Sequence, residues 1–305
     1  MSCGDSILVF GAGQLGMAVL RGLSKHAAQT GISITVLLRS KTIYSDEPSK
    51  QREVSDINDL GVSFLAGDLV ESSEDELSRL FRPFQTIIGC TGFVAGPNTQ
   101  IKLARAVLKS GVKRYVPWQF GVDYDAIGRG CAQDLFDEQL DVRDLLRKQN
   151  QTEWVIISTG MFTSFLFESW FGVVDLAEDT VRALGNWDNA VTVTAPEDIG
   201  AITAKILLNQ PRIKNQVIFT GSDSVTYARL ADIMESVLCR KMHRVRSSVP
   251  MMEKDLAQDP DNAIKKYRVV FGRGKGVSWD LKRTFNQQKG IQVESIEQWA
   301  RSHLK

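Results

Sequence analysis

The chain's 305 residues are enough for one large domain or for a nucleotide domain with a smaller companion, with a substantial core in either case. Its 37 Lys and Arg are matched by 36 Asp and Glu, with no basic tail or acidic block, so charge gives no footprint for nucleic acid or an anionic membrane. Four cysteines, at 3, 90, 131 and 239, form no CxxC pair, which argues against a disulfide framework or a metal site and for a reducing, cytoplasmic setting.

The apolar run 6–10 (SILVF) reads as a strand close to the N-terminus, leaving no room for a signal or transit peptide. Gly11-Ala12-Gly13-Gln14-Leu15-Gly16 follows, and 17–23 (MAVLRGL) continues at helical spacing. Glycines where a strand turns into a helix are what a dinucleotide turn requires. The first permits the tight turn, the second lets backbone approach a pyrophosphate, and the third allows close helix–strand packing. The helix N-terminus then offers free N–H groups to phosphates. The next strand, 33–38 (SITVLL), ends in Arg39-Ser40-Lys41 where an NAD site usually carries an acid for the ribose diol. A guanidinium there pairs with a 2′-phosphate, so the expected cofactor is NADP(H). Lys41 and Lys50 either add charge near that phosphate or are solvated.

Further short apolar runs at 62–66, 86–90, 114–117 and 153–158 alternate with helical patterns at 98–110 and 133–149. Such alternation predicts an α/β fold, a doubly wound parallel sheet with helices on both faces. The division expected is 1–160 as a Rossmann domain and 161–305 as a smaller C-terminal substrate-binding lobe, with segments near 190–221 returning to the Rossmann domain. In the second half the pattern predicts strands at 190–194 and 217–219, and helices at 196–209, 227–239 and 294–304. Pro196 with Glu197 and Asp198 behind it fits a helix start. The stretch 154–174 is interrupted by Gly160, hydroxyl residues and Glu168, so it reads as a buried strand and a pocket-lining helix, not a membrane span. Residues 272–276 (GRGKG) lack P-loop spacing and read as a surface turn.

Thr91-Gly92-Phe93, after the fourth strand, is expected beside the dinucleotide, and Asp68 either at its adenine end or capping its own loop. Trp118, Gln119, Phe120, Met161, Phe162, Phe165 and Trp170 form an aromatic-rich set suited to a flat apolar ligand or to an ordinary core.

Tyr115-Val116-Pro117-Trp118-Gln119-Phe120-Gly121-Val122-Asp123, taken with GAGQLG, Gly67-Asp68 and Phe136-Asp137-Glu138, resembles the isoflavone-reductase-like and NmrA-like group of atypical short-chain dehydrogenases/reductases. The likeness is clearest over 6–160. It implies an extended Rossmann fold, NADPH, and reduction of aromatic compounds by hydride transfer, in a group that also contains regulators which bind the dinucleotide without turning it over. Reductases of the group carry a lysine just past a Phe-Glu pair on the helix after the fifth strand; laying Phe136 on that phenylalanine puts Gln139 there. An amide donates a hydrogen bond but delivers no proton. None of the five tyrosines has a lysine four residues on. Tyr124, in the loop after the fifth strand, is the substitute donor or a packing tyrosine, and Gln119 and Gln139 are the remaining polar candidates.

The expected function is NADPH-dependent reduction of an apolar, aromatic carbonyl, enone or imine. A dinucleotide-binding regulatory protein without turnover, or a non-redox isomerase-type tailoring enzyme on the same fold, stands as the alternative. A small aromatic substrate is the expected partner, with a homodimer or protein partner left open.

Overall fold

The computed structural model describes residues 5–304, with Val94 described by its backbone alone. Within them β1 (Ser6–Phe10), β2 (Ser33–Leu38), β3 (Ser63–Ala66), β4 (Thr86–Gly89), β5 (Arg114–Val116) and β6 (Glu153–Ser158) pair in parallel. A later strand, β11 (Gln216–Phe219), completes a seven-stranded sheet in the order β11-β6-β5-β4-β1-β2-β3. The order reverses between β1 and β4, and crevices outside the carboxyl ends of strands at such a switch point are where open α/β sheets bind ligands. Near-continuous apolar strands fit a sheet covered on both faces: Leu8, Val9 and Phe10 are fully buried.

The helices that cover the sheet follow local rules. α1 (Gln14–Thr30) ends on Gly31 in the left-handed region, φ 67°. The short α2 (Ser40–Ile43) and α3 (Pro48–Asp59) follow β2. A capping box between Ser73 and Glu76 starts α4 (Glu74–Phe81), and α5 (Thr99–Ser110) ends on Gly111 at φ 75°. α6 (Tyr124–Ile127) and α7 (Leu135–Arg147) lie between β5 and β6. α8 (Pro196–Leu208) starts on the expected proline with Glu197 and Asp198 in its first turn. It meets α1 through glycines on both sides: a Cβ on Gly22 would lie 2.3 Å from the Gly200 carbonyl oxygen, and one on Gly200 would lie 2.0 Å from that of Ala18.

Two compact units emerge, the first from 1–119, 141–157 and 199–218, the second from 120–140, 158–198 and 219–305. Each unit is assembled from separate stretches of the chain, with 199–218 returning to the first. Arg114, 2% exposed, explains how 199–218 joins the first unit: its guanidinium donates to the carbonyls of Leu207 (2.9 Å) and Ile213 (2.8 Å). Burial, followed by the charge of Arg212, pulls its pKa down to about 10. The strand at 190–194 goes elsewhere. As β10 (Ala190–Thr194) it pairs with β7 (Met161–Phe162) and β12 (Asp223–Thr226).

A second three-stranded sheet in that unit holds β8 (Val174–Asp175), β9 (Thr180–Leu184) and β13 (His243–Ser247). α9 (Tyr227–Leu238), α10 (Val249–Gln258), α11 (Ala263–Arg273), α12 (Phe285–Gln288) and α13 (Ile296–His303) complete it. Two local expectations need correction. After β6 the chain makes a 3₁₀ turn at Thr163–Phe167 in place of a pocket-lining helix. The GRGKG stretch is only partly a turn, because Gly272 is a buried residue of α11 packed on Gly185 and Met252, and Gly274 caps the helix at φ 73°. Cys3 lies outside the described residues; Cys90, Cys131 and Cys239 are free.

Candidate functional site

At the carboxyl end of β1 a cleft of about 320 Å³ opens within the first unit. Gly11, Gly13, Arg39, Asp68, Thr91 and Gly92 of the expected cofactor residues line it, together with Thr42, Lys50, Glu53, Leu69, Val70 and Ala95. The three motif glycines do different work. Gly11 has φ 82°, which favours glycine, and a Cβ there would lie 2.7 Å from the Thr91 hydroxyl. Gly16 is required by packing, since its Cβ would lie 2.1 Å from the Gly11 carbonyl oxygen. Gly13 meets neither condition: its φ is −66° and a Cβ would find nothing within 4 Å. The fold leaves Gly13 facing open space.

Gly13 is also the N-cap of α1, with no side-chain cap hydrogen bond and no acid in the first turn. The first N–H groups of a seventeen-residue helix are thus left for an anion, where the helix dipole favours negative charge. Gln14 is exposed at the helix start, whereas Leu15 is buried in the core and can contribute only its backbone N–H.

Arg39, exposed at the end of β2, also lines the cleft. Lys50 does as well, whereas Ser40 and Lys41 are exposed outside its lining. Lys50 Nζ lies 3.0 Å from a carboxylate oxygen of Glu53. Asp68 is engaged by its own loop, its Oδ1 accepting from the N–H groups of Val70 (2.8 Å) and Glu71 (3.1 Å). The Glu71 hydrogen bond, then that of Val70 and the charges of Arg39 and Lys41, hold its carboxyl below the usual range against a smaller opposing effect of burial. Burial pushes the Cys90 thiol far up, which disfavours its thiolate.

Trp118, outside the lining, packs over the lining residue Gly92, where a Cβ would lie 2.7 Å from the indole, and meets Phe93 edge-on at 4.5 Å between centroids. Phe93 therefore supports the wall without lining the cleft. A larger groove of about 610 Å³ beside α4, α5 and α7 lacks any glycine turn and balances Lys102, Arg105 and Lys148 against Glu74, Asp141 and Asp144.

The polar catalytic candidates are buried. Gln119 is 0% exposed, and its amide oxygen accepts from Nε of the equally buried Arg143 at 2.6 Å. Gln139 is 0% and Tyr124 3% exposed. In the second unit the Tyr124 ring meets Phe136 edge-on at 4.8 Å, Phe136 meets Tyr267 at 5.6 Å, and the Tyr124 hydroxyl rests over Gly121. Burial, with a smaller contribution from Tyr124, pushes the Tyr267 phenol up. Phe120 and Met161 are buried, while Phe162 and Phe165 are half-buried with centroids 5.3 Å apart. Trp170 extends that row at 5.4 Å from Phe165 and is 46% exposed. Among the described residues no cluster of His, Cys, Asp and Glu is arranged to hold a metal, and no helix is long and apolar enough to cross a membrane.

Sheet order, glycine turn and uncapped helix define a doubly wound protein of the Rossmann class. The NmrA-like family model matches residues 4–291, and the chain belongs to that family. An "NmrA-like family domain-containing oxidoreductase" of Gibberella moniliformis is 44% identical over 97% of both chains. Two solved structures share the fold: a binary complex of leucoanthocyanidin reductase and NADPH from Vitis vinifera (TM-score 0.79, 17% identity, 97% of this chain and 98% of the other), and AtPrR2 with NADP+ and (+)pinoresinol (0.77, 18%, 99% of each).

Proposed function

We propose that this protein is an NADPH-dependent reductase of an apolar, aromatic carbonyl, enone or imine. The open space at Gly13 carries the reading, because neither backbone strain nor packing within the protein calls for glycine there while a pyrophosphate does. The N–H groups at the start of α1 hold the pyrophosphate, Arg39 pairs with the 2′-phosphate, and Thr91 and Gly92 flank the dinucleotide. When bound, NADPH supplies the hydride. Of the polar candidates Tyr124 alone has a proton to give; Gln139 and Gln119 contribute only hydrogen bonds or hold the donor's surroundings. In the second unit, Phe120, Met161, Phe162 and Phe165 supply apolar surface for a flat substrate. The oxidoreductase from Gibberella moniliformis, and the NADPH and pinoresinol complexes of the fold neighbours, support this assignment.

The test is loss of reduced nicotinamide when purified protein meets NADPH and a panel of aromatic aldehydes, enones, quinones and cyclic imines. Consumption with any member supports the reductase. Gln139 at the expected lysine position, with all three polar candidates buried, favours a second reading, dinucleotide binding without net redox turnover, as a regulator or an isomerase-type enzyme. Saturable NADPH binding with no consumption across the panel selects it.

A further inference from the structure

We infer that Glu53 sets the cofactor selectivity of the cleft, moderating the preference for a 2′-phosphate that Arg39 creates; the inference rests on the dinucleotide reading above. Glu53 belongs to no motif. It lies on α3 and shares the lining of the cleft with Arg39, Thr42 and Lys50. Its carboxylate is the more sheltered half of its ion pair, 27% exposed against 42% for Lys50.

The cleft's charged lining consists of Arg39 and Lys50 against Glu53 and Asp68, two of each sign, so it is not the strongly cationic pocket that Arg39 alone suggests. The two acids differ in what they can still do. Asp68 is committed to the N–H groups of its own loop. Glu53 faces a lysine side chain that a phosphate competes for equally well.

A 2′-phosphate brought to Arg39 carries nearly two negative charges and meets the Glu53 carboxylate in the same small cleft. It must also draw Lys50 away from Glu53 before that ammonium adds attraction. A ribose with free hydroxyls meets the opposite situation. The carboxylate is then an acceptor for the diol, the part an acid at the end of the second strand plays in NAD sites. One side chain thus opposes NADPH and assists NADH, and the wild-type protein binds both, with NADPH only modestly preferred.

The experiment titrates full-length wild-type protein, Glu53→Gln and Glu47→Gln with NADPH and with NADH, at low and at raised salt. Glu47, the exposed N-cap residue of α3, lies outside the cleft lining and controls for a general change of charge. In Glu53→Gln, NADPH affinity is expected to rise about fivefold and NADH affinity to fall about twofold, moving their ratio roughly tenfold, with the NADPH gain shrinking in salt. Glu47→Gln is expected to leave the ratio unchanged. An unchanged ratio in Glu53→Gln, or an equal shift in Glu47→Gln, overturns the inference while leaving NADPH binding, and the function built on it, intact. Binding of neither dinucleotide by the wild type overturns that function and the inference together.

Discussion

The cleft at the end of β1 and the polar candidates around Tyr124 differ in what the fold leaves open. In the cleft the chain makes room: Gly13 faces nothing, α1 starts without a side-chain cap, and Arg39 stands exposed in the lining. Around Tyr124 the chain fills it, with rings packed edge to edge and Gln139 wholly enclosed. The proposed binding cleft is therefore open, while the groups proposed for proton transfer belong to a packed interior.

Substituting Gly13 by Val tests the open region with the largest effect. Filling the space should cost at least about 10³-fold in NADPH affinity, yet the weaker N-cap should lower stability by only about 1 kcal/mol. Calorimetric titration and thermal melting check the two halves, and a large loss of stability would mean that the space is part of the packing. Arg114→Met should do the reverse. Two carbonyls lose a charged donor, so urea unfolding should show about 3 kcal/mol of destabilisation, with NADPH affinity of the folded protein unchanged.

Tyr124→Phe probes the filled region. If the phenol donates the proton, kcat for any substrate found should fall about 10²-fold while NADPH affinity holds. An unchanged kcat would assign Tyr124 to packing.

The smallest effect concerns Asp198, whose carboxylate accepts from the N–H of Glu294 (2.8 Å) and the hydroxyl of Ser222 (3.1 Å). Burial, reinforced by the charges of Glu294 and Glu197, outweighs those hydrogen bonds and raises its pKa. The folded state then holds its proton more tightly than the unfolded chain, so this group's contribution favours folding at low pH and is lost as pH rises from the ordinary Asp value through the raised one. Asp198→Asn should flatten that decline in melts taken between about pH 3 and 6.

The sheet and the glycine turn were legible because they depend on local rules: apolar runs that strands need, and glycine at fixed offsets where a strand meets a helix. Arg39 could be found by counting. Glu53 could not, since α3 reads as a charged solvated helix and its place beside Arg39 depends on how α2 turns the chain. The smaller sheet of β8, β9 and β13 was also hidden. β8 has two residues, and β13 (HRVRS) is mostly exposed and charged, so it lacks the apolar alternation of a half-buried strand. The grouping of 120–140 with the second unit likewise follows from contacts between distant rings, as Phe136 with Tyr267, which no local pattern announces.

The most direct test of the central claim is titration of wild-type protein and Arg39→Glu with NADPH and NADH. The account predicts saturable NADPH binding by the wild type, weakened about 10²-fold by the substitution, with NADH changed by less than about threefold. Equal loss of both dinucleotides, or no effect on either, would contradict it.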